Sequence, residues 1–223
     1  MYRQLPNALT VMRLVLAAIF FVVLNQYRYE GAGGEPHTVI IWTSITLFIF
    51  AAATDWLDGY LARKWKVESQ FGRIMDPFCD KVLVIGAFIL LTGPRFVIPE
   101  REPHPLLSLN MASGVYPWMV VVILSRELLV TAIRSEMETG GTKFGANIAG
   151  KAKMVLQAIA VPVLMLIMWL DPVAHPALGW VRDVFVYATV IVTILSGIPY
   201  VISAKWMMKK IEPVDGEQAT PGK

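Results

Sequence analysis

The chain has 223 residues, 56% of them hydrophobic and 17% charged, with a mean hydropathy of +0.55; an ordinary soluble domain holds about 45–50% apolar residues even with glycine counted, so the composition predicts an integral membrane protein. One cysteine excludes an intramolecular disulfide, and one cysteine with three histidines cannot build a Cys/His zinc site. The net charge of +3 says little by itself, and no nucleic-acid partner is expected.

Apolar runs of roughly 17–25 residues mark bilayer spans, and six occur: about Leu9–Asn25, Thr38–Asp58, Asp76–Thr92, Val115–Met137, Ala149–Leu170 and Val184–Met207. The expectation is an all-α integral membrane protein with six transmembrane helices, one catalytic domain over 1–210, and a polar, disordered tail over 211–223. The first run has no small-residue cleavage site after it and reads as a retained helix.

The end of the second run and the start of the third hold the most informative stretch, TDWLDGYLARKWKVESQFGRIMDPFCDK, from Thr54 to Lys81. Asp55, Asp58, Gly59 and Ala62 fall at i, i+3, i+4 and i+7, one stripe of a helix, and the small residues on it let a bulky ligand approach the backbone. Asp76 and Asp80 are one turn apart, with Pro77 placed as in the first turn of a new helix. A second span running inward and a third running outward bring the two pairs to one depth, with the Arg63–Met75 connection folding over them. Four converging carboxylates repel unless cations neutralise them, so the pattern predicts two bound divalent ions and phosphate chemistry. The competing reading, solvated helix-end charges paired with Arg63, Arg73 or Lys81, suits one or two aspartates better than four on matched faces. Cys79, offset from both acids on its helix, reads as a small apolar filler.

The Pro-rich stretch Gly93–Gly114 is the longest connection and should face away from the aspartates. The fourth run carries Ser125, Arg126, Glu127, Thr131, Arg134 and Glu136 in an otherwise apolar sequence. Arg126 and Arg134 are eight residues apart, about 80° around a helix, so both can face one cavity. Lys151 and Lys153 open the fifth helix from the same side. This clustering of cations predicts an acceptor that itself bears phosphate, against the plainer reading of side chains reaching for lipid headgroups. Lys143 reads as a loop residue without a role in the chemistry. Arg and Lys concentrate with the aspartates, and Arg28, Arg95, Arg101 and Arg182 lie opposite, so the positive-inside rule places both termini and the site in the cytoplasm.

The residues D-x2-D-G-x2-A-R-x8-G-x3-D-x3-D, filled by Asp55, Asp58, Gly59, Ala62, Arg63, Gly72, Asp76 and Asp80, resemble the signature of the CDP-alcohol phosphotransferases. That resemblance implies transfer of a substituted phosphate from a CDP-linked lipid to an alcohol with release of CMP, assisted by two divalent cations, Mg²⁺ or Mn²⁺. It assigns Asp55, Asp58 and Asp76 as metal ligands shared between the ions, and Asp80 as both the last ligand and the general base. Gly59, Ala62, Arg63 and Gly72 would line the CDP pocket, with Arg63 on the diphosphate.

Within the family, the Ser125–Leu128 run SREL, Arg134, the Gly150–Lys153 run GKAK and the opening LPNALTVMRL resemble bacterial phosphatidylglycerophosphate synthases; Met154 departs from the Thr more common after the lysines. This narrower resemblance implies CDP-diacylglycerol as donor and glycerol 3-phosphate as acceptor, in a bacterial inner membrane, by a homodimer among membrane lipids. Arg126, Arg134 and Lys151 would hold the acceptor phosphate, with Glu127 a competing partner for Arg126. Asn7, Thr10 and Arg13 would sit near the nucleotide. Thr193, Ser196 and Tyr200 match polar positions that serve either substrate or interhelical hydrogen bonds. Phosphatidylglycerol or an inositol phosphate is the alternative acceptor; serine and amino alcohols fit the cations poorly. A divalent-cation transporter is a distant alternative, because it needs acids along a whole transmembrane route.

Overall fold

A computed structural model describes residues 5–30, 37–65, 70–98, 110–139 and 148–211; the side chains of 5–9, 55–65, 70–74, 76, 77, 80, 138, 139, 148, 149 and 206–211 fall outside the description. Its α-helices are α1 (Leu5–Leu24), α2 (Thr38–Trp65), α3 (Gln70–Leu91), α4 (Pro117–Thr139), α5 (Ile148–Trp169) and α6 (Pro176–Ile211). Among the described residues the only β pairing is an isolated bridge between Val97 and Met111. Proline opens α4 and α6, where its missing N–H is no loss.

Each helix buries a stripe at 3–4-residue spacing. On α1 it is Thr10, Arg13, Ala17, Phe20 and Leu24, and on α2 it is Ile41, Ser44, Phe48 and Ala51. α1 packs on both α2 and α3, and α6 on both α4 and α5; α2 and α3 also meet α5. Phe20, Phe48, Phe88, Met119 and Met165 are buried in one continuous apolar core. Val22, Phe50, Val121 and Ile191 are exposed on outer helix faces, the arrangement expected of a bundle set in lipid. The segments Gly150–Trp169 and Pro176–Lys205, with mean hydropathies of 1.9 and 2.0, are each long and apolar enough to cross a bilayer. Thr10–Leu24, Thr38–Thr54 and Lys81–Leu91 are shorter apolar stretches.

Two boundaries differ from the sequence expectation. α2 and α3 leave only residues 66–69 between them, not Arg63–Met75, and Pro77 lies seven residues into α3 and not in its first turn. Arg63, Lys64 and Gln70, whose polarity suggested a loop, are good helix formers and are accommodated in the two helices. The expected tail 211–223 falls outside the described residues beyond Ile211, as does 99–109 of the Gly93–Gly114 connection.

The end of the bundle remote from the aspartates is tied by a polar cap. The Tyr29 hydroxyl donates to Asp171 Oδ1 at 2.6 Å, the Tyr29 amide donates to the Arg95 carbonyl, and Arg182 donates to the Met111 and Ala112 carbonyls at 3.2 and 3.1 Å. Asp171 holds a φ of 60°. The left-handed region is open to aspartate because its side chain bonds locally, here to the amides of Val173 and Ala174. Trp42, Trp118, Trp169 and Trp180 all lie at this end, and Trp180 is 75% exposed.

Candidate active site

The aspartates occupy matched registers on consecutive helices. Asp55 lies ten residues before the last residue of α2 and Asp80 ten residues after the first of α3, about 15 Å from each end at 1.5 Å per residue. Asp58 and Asp76 lie seven and six residues from the same ends, about 9–10 Å. Continuing the buried stripe of α2 beyond Phe48 and Ala51 at the same spacing reaches Asp55, Asp58 and Ala62; continuing Leu91, Ala87 and Val84 backward along α3 reaches Asp80 and Asp76. The four acids thus hold register positions that continue the spacing of those stripes. Their side chains, with those of Gly59, Ala62, Arg63 and Gly72, lie outside the described residues. A donor set made wholly of carboxylate oxygens fits hard divalent cations such as Mg²⁺ or Mn²⁺.

α1 brings a cation to this level. Arg13 is eight residues from the start of α1, about 12 Å, and it and Thr10 are each 1% exposed. Asn7 is placed on the first turns of the same helix, its side chain undescribed. Lys81, next to Asp80, donates to the Thr131 hydroxyl on α4, which in turn donates to the Glu127 carbonyl at 2.7 Å. Lys81 is therefore engaged with α4.

The cations of α4 lean on α6. Arg126 Nη2 donates to the Ser196 carbonyl at 3.3 Å, and Arg134 Nη2 donates to the Tyr200 hydroxyl at 3.0 Å, with its guanidinium carbon 5.6 Å from the ring centroid. The two arginines lie about 12 Å apart along α4, but their anchors, Ser196 and Tyr200, are one turn apart, about 6 Å. α6 is shaped to receive them. A Cβ on Gly197 would stand 3.2 Å from Arg126 Cγ, and Pro199 has no N–H to give the carbonyl four residues back, which loosens the turn. The Nε atoms of Arg126 and Arg134 are both buried without a hydrogen-bond acceptor among the described residues. Two buried N–H donors facing one seam suit an oxyanion ligand.

Lys151 is exposed in the first turn of α5. It follows Gly150, whose missing Cβ would stand 3.9 Å from the Tyr200 hydroxyl, so α5 opens beside the Arg134 anchor. Lys153, not singled out from sequence for the site, is buried and donates to Glu127 Oε1, the same oxygen that accepts Arg126 Nη1 at 2.9 Å. Gln157 donates to Thr193 at 3.0 Å beside this cluster. The available signal was two lysines two residues apart at the head of an apolar helix: at 100° per residue both cannot face the same way. Thr193, Ser196 and Tyr200 are buried, and all three take part in hydrogen bonds across or along α6.

Residues 3–198 match the family model described as CDP-alcohol phosphatidyltransferase. A Bacillus subtilis protein named CDP-diacylglycerol–glycerol-3-phosphate 3-phosphatidyltransferase is 34% identical over 208 residues, covering 91% of this chain and 95% of its own. Proteins of the same name from Cereibacter sphaeroides and Pseudomonas fluorescens are 32% and 33% identical, covering 79% and 73% of this chain and 71% and 72% of theirs. A match that runs from residue 3 to Ile198 in α6 spans both aspartate helices, Arg126, Arg134 and Ser196, and the chain belongs to the CDP-alcohol phosphatidyltransferase family.

Proposed function

We propose that this chain transfers the phosphatidyl group of CDP-diacylglycerol to glycerol 3-phosphate, giving phosphatidylglycerol phosphate and CMP. The observation that carries the acceptor is the convergence of Arg126 and Arg134 on one turn of α6, each with a buried Nε–H lacking an acceptor among the described residues. A neutral alcohol offers these cations only uncharged acceptors; a phosphate offers charged oxygens and roughly twice the hydrogen-bond strength. The relatives named above bear the same activity in their names.

In this reading Asp55, Asp58, Asp76 and Asp80 hold two divalent cations, which supply charge neutralisation at the diphosphate. Arg63 donates to the diphosphate in a bidentate fashion and cannot lose its charge. Gly59, Ala62 and Gly72 leave room for the nucleotide, with Asn7, Thr10 and Arg13 bordering it from α1. Arg126, Arg134 and Lys151 hold the acceptor phosphate. Asp80 takes the proton of the sn-1 hydroxyl, whose oxygen bonds to the β-phosphorus as the bond to CMP breaks.

The six helices are read as six spans of a bacterial inner membrane, in a homodimer, with the aspartates and both termini cytoplasmic. Two helices meet the length and hydropathy of a span outright, and the four tryptophans at the opposite end form the aromatic belt expected at an interface.

The test is CMP release by purified protein in detergent with CDP-diacylglycerol and Mg²⁺, offering glycerol 3-phosphate, an inositol phosphate, phosphatidylglycerol or serine separately. Release with glycerol 3-phosphate alone, abolished by EDTA and restored by Mg²⁺, is expected. Release with another acceptor overturns the acceptor assignment, and no release with any overturns the activity.

A further inference from the structure

Glu127 is a buried carboxylate that accepts from two cations on two helices, Arg126 beside it and Lys153 on α5; the three side chains are 8–10% exposed. Arg126 is thereby fixed at both ends of its guanidinium. Nη1 is on Glu127, Nη2 is on the Ser196 carbonyl, and the stem lies against Gly197. With each Nη engaged, the remaining nitrogen, Nε, is buried and has no acceptor among the described residues. Lys153 is held by the same Glu127 oxygen.

We infer that Glu127 is a positioning residue for the acceptor phosphate: it holds Arg126 in the one orientation that leaves Nε–H for the ligand, and it keeps Lys153 out of the subsite. Gly197 completes the device by leaving the Arg126 stem its track along α6. This inference rests on the proposed activity and adds to it a residue that touches neither substrate.

The charge balance makes the inference testable by sign. Glu127→Gln raises the local charge by one, and if the subsite worked only by net positive charge, the variant would bind an anionic acceptor more tightly. Positioning predicts the reverse. With Glu127 neutral, Arg126 and Lys153 lose their shared anchor, and the loss of one charge-assisted contact corresponds to about a tenfold weaker hold on the acceptor.

The experiment is CMP release in detergent by the full chain and its variants, with glycerol 3-phosphate and CDP-diacylglycerol varied in turn. Glu127→Gln is expected to raise KM for glycerol 3-phosphate about tenfold with KM for CDP-diacylglycerol held within about twofold, and Glu127→Asp to recover part of the loss. Gly197→Ala changes no charge and brings a methyl to 3.2 Å from Arg126 Cγ; it is expected to raise the same KM about threefold. It decides the matter where Glu127→Gln does not yield folded protein. An unchanged or lower KM for glycerol 3-phosphate, or an equal rise for both substrates, overturns the positioning role while leaving the activity standing. Absence of turnover with glycerol 3-phosphate in the unaltered chain overturns the activity and this inference together.

Discussion

Removing a single oxygen atom tests the other half of the arginine seam. The Tyr200 hydroxyl accepts from Arg134 Nη2 at 3.0 Å, and the guanidinium sits 5.6 Å from the ring centroid, so Tyr200→Phe deletes the hydrogen bond and keeps the ring. A hydrogen bond to a charged group is worth about 1.5–3 kcal/mol. The lower end applies here, because the ring continues to attract the cation by about 0.5–1 kcal/mol. About 1.5 kcal/mol is close to tenfold in affinity, and that is the expected rise in KM for glycerol 3-phosphate. Tyr200→Leu also removes the ring and should add a further two- to fivefold.

Tyr200 is 2% exposed, and phenylalanine has the same shape, so Tyr200→Phe opens no cavity and its melting temperature serves as the control for folding. Initial rates of CMP release would be measured in mixed micelles with each substrate varied at a fixed level of the other. A KM for glycerol 3-phosphate that stays at the unaltered value would refute the role of Arg134 as a phosphate donor anchored on α6. So would an equal rise in KM for CDP-diacylglycerol, since nothing in the seam favours the donor.

Asp80→Asn keeps the size of the side chain and removes its basicity; kcat is expected to fall about 10²–10⁴-fold while binding of labelled CDP-diacylglycerol is largely retained, and equal loss of both would remove Asp80 from the role of base. Gly114→Ala combines a φ of +69° with a Cβ 2.7 Å from Arg182 Nε. The left-handed conformation costs about 1–2 kcal/mol and the crowding about 1–3 kcal/mol, so the thermal midpoint should drop without a change in KM, the cap being at the far end from the aspartates. In that cap, burial and the nearby Asp171 carboxylate push the Tyr27 hydroxyl up to about 12 and raise Tyr29 further. Both are protonated when folded, so their contribution is complete below the unfolded value near 10 and is lost as pH rises through about 12. Denaturation of the unaltered chain above pH 10 should therefore be blunted in Tyr29→Phe, and an identical alkaline profile would count against the cap.

The helical spacing of the acids was legible because a helix repeats every 3.6 residues: Asp55 with Asp58 and Asp76 with Asp80 lie about one turn apart on helices that do form. Helix boundaries were less legible. The basic, polar stretch from Arg63 to Met75 looks like a connection, yet α2 extends to Trp65 and α3 begins at Gln70, because charged and polar residues with long side chains are themselves good helix formers. Arg126 and Arg134 were found as charges in an apolar run, and Ser196 and Tyr200 as positions for substrate or interhelical hydrogen bonds, but which helix they pair with, and the part of Gly197, carry no sign until α4 and α6 are packed. Lys151 and Lys153 look equivalent in sequence, and only the fold separates the exposed one from the one buried on Glu127.

The depth of the Arg126–Glu127–Lys153 cluster explains why it needs a compensating carboxylate and why that compensation stops short. In the proposed six-span arrangement Arg126, eight residues inward from Trp118 of the aromatic end and so about 12 Å along α4, would lie near the middle of a hydrocarbon core about 30 Å thick. Isolated charges there cost several kcal/mol each, and Glu127 offsets one of the two cations. Within the cluster two cations share one carboxylate, and Arg126 Nε has no acceptor among the described residues. Replacing Glu127 by an apolar residue would leave two uncompensated cations and an unstable bundle; adding a second acid would neutralise the site and remove its attraction for an anion. A single carboxylate between two cations lets the helices pack and keeps the cluster itself positive, the arrangement that the proposed acceptor phosphate would complement.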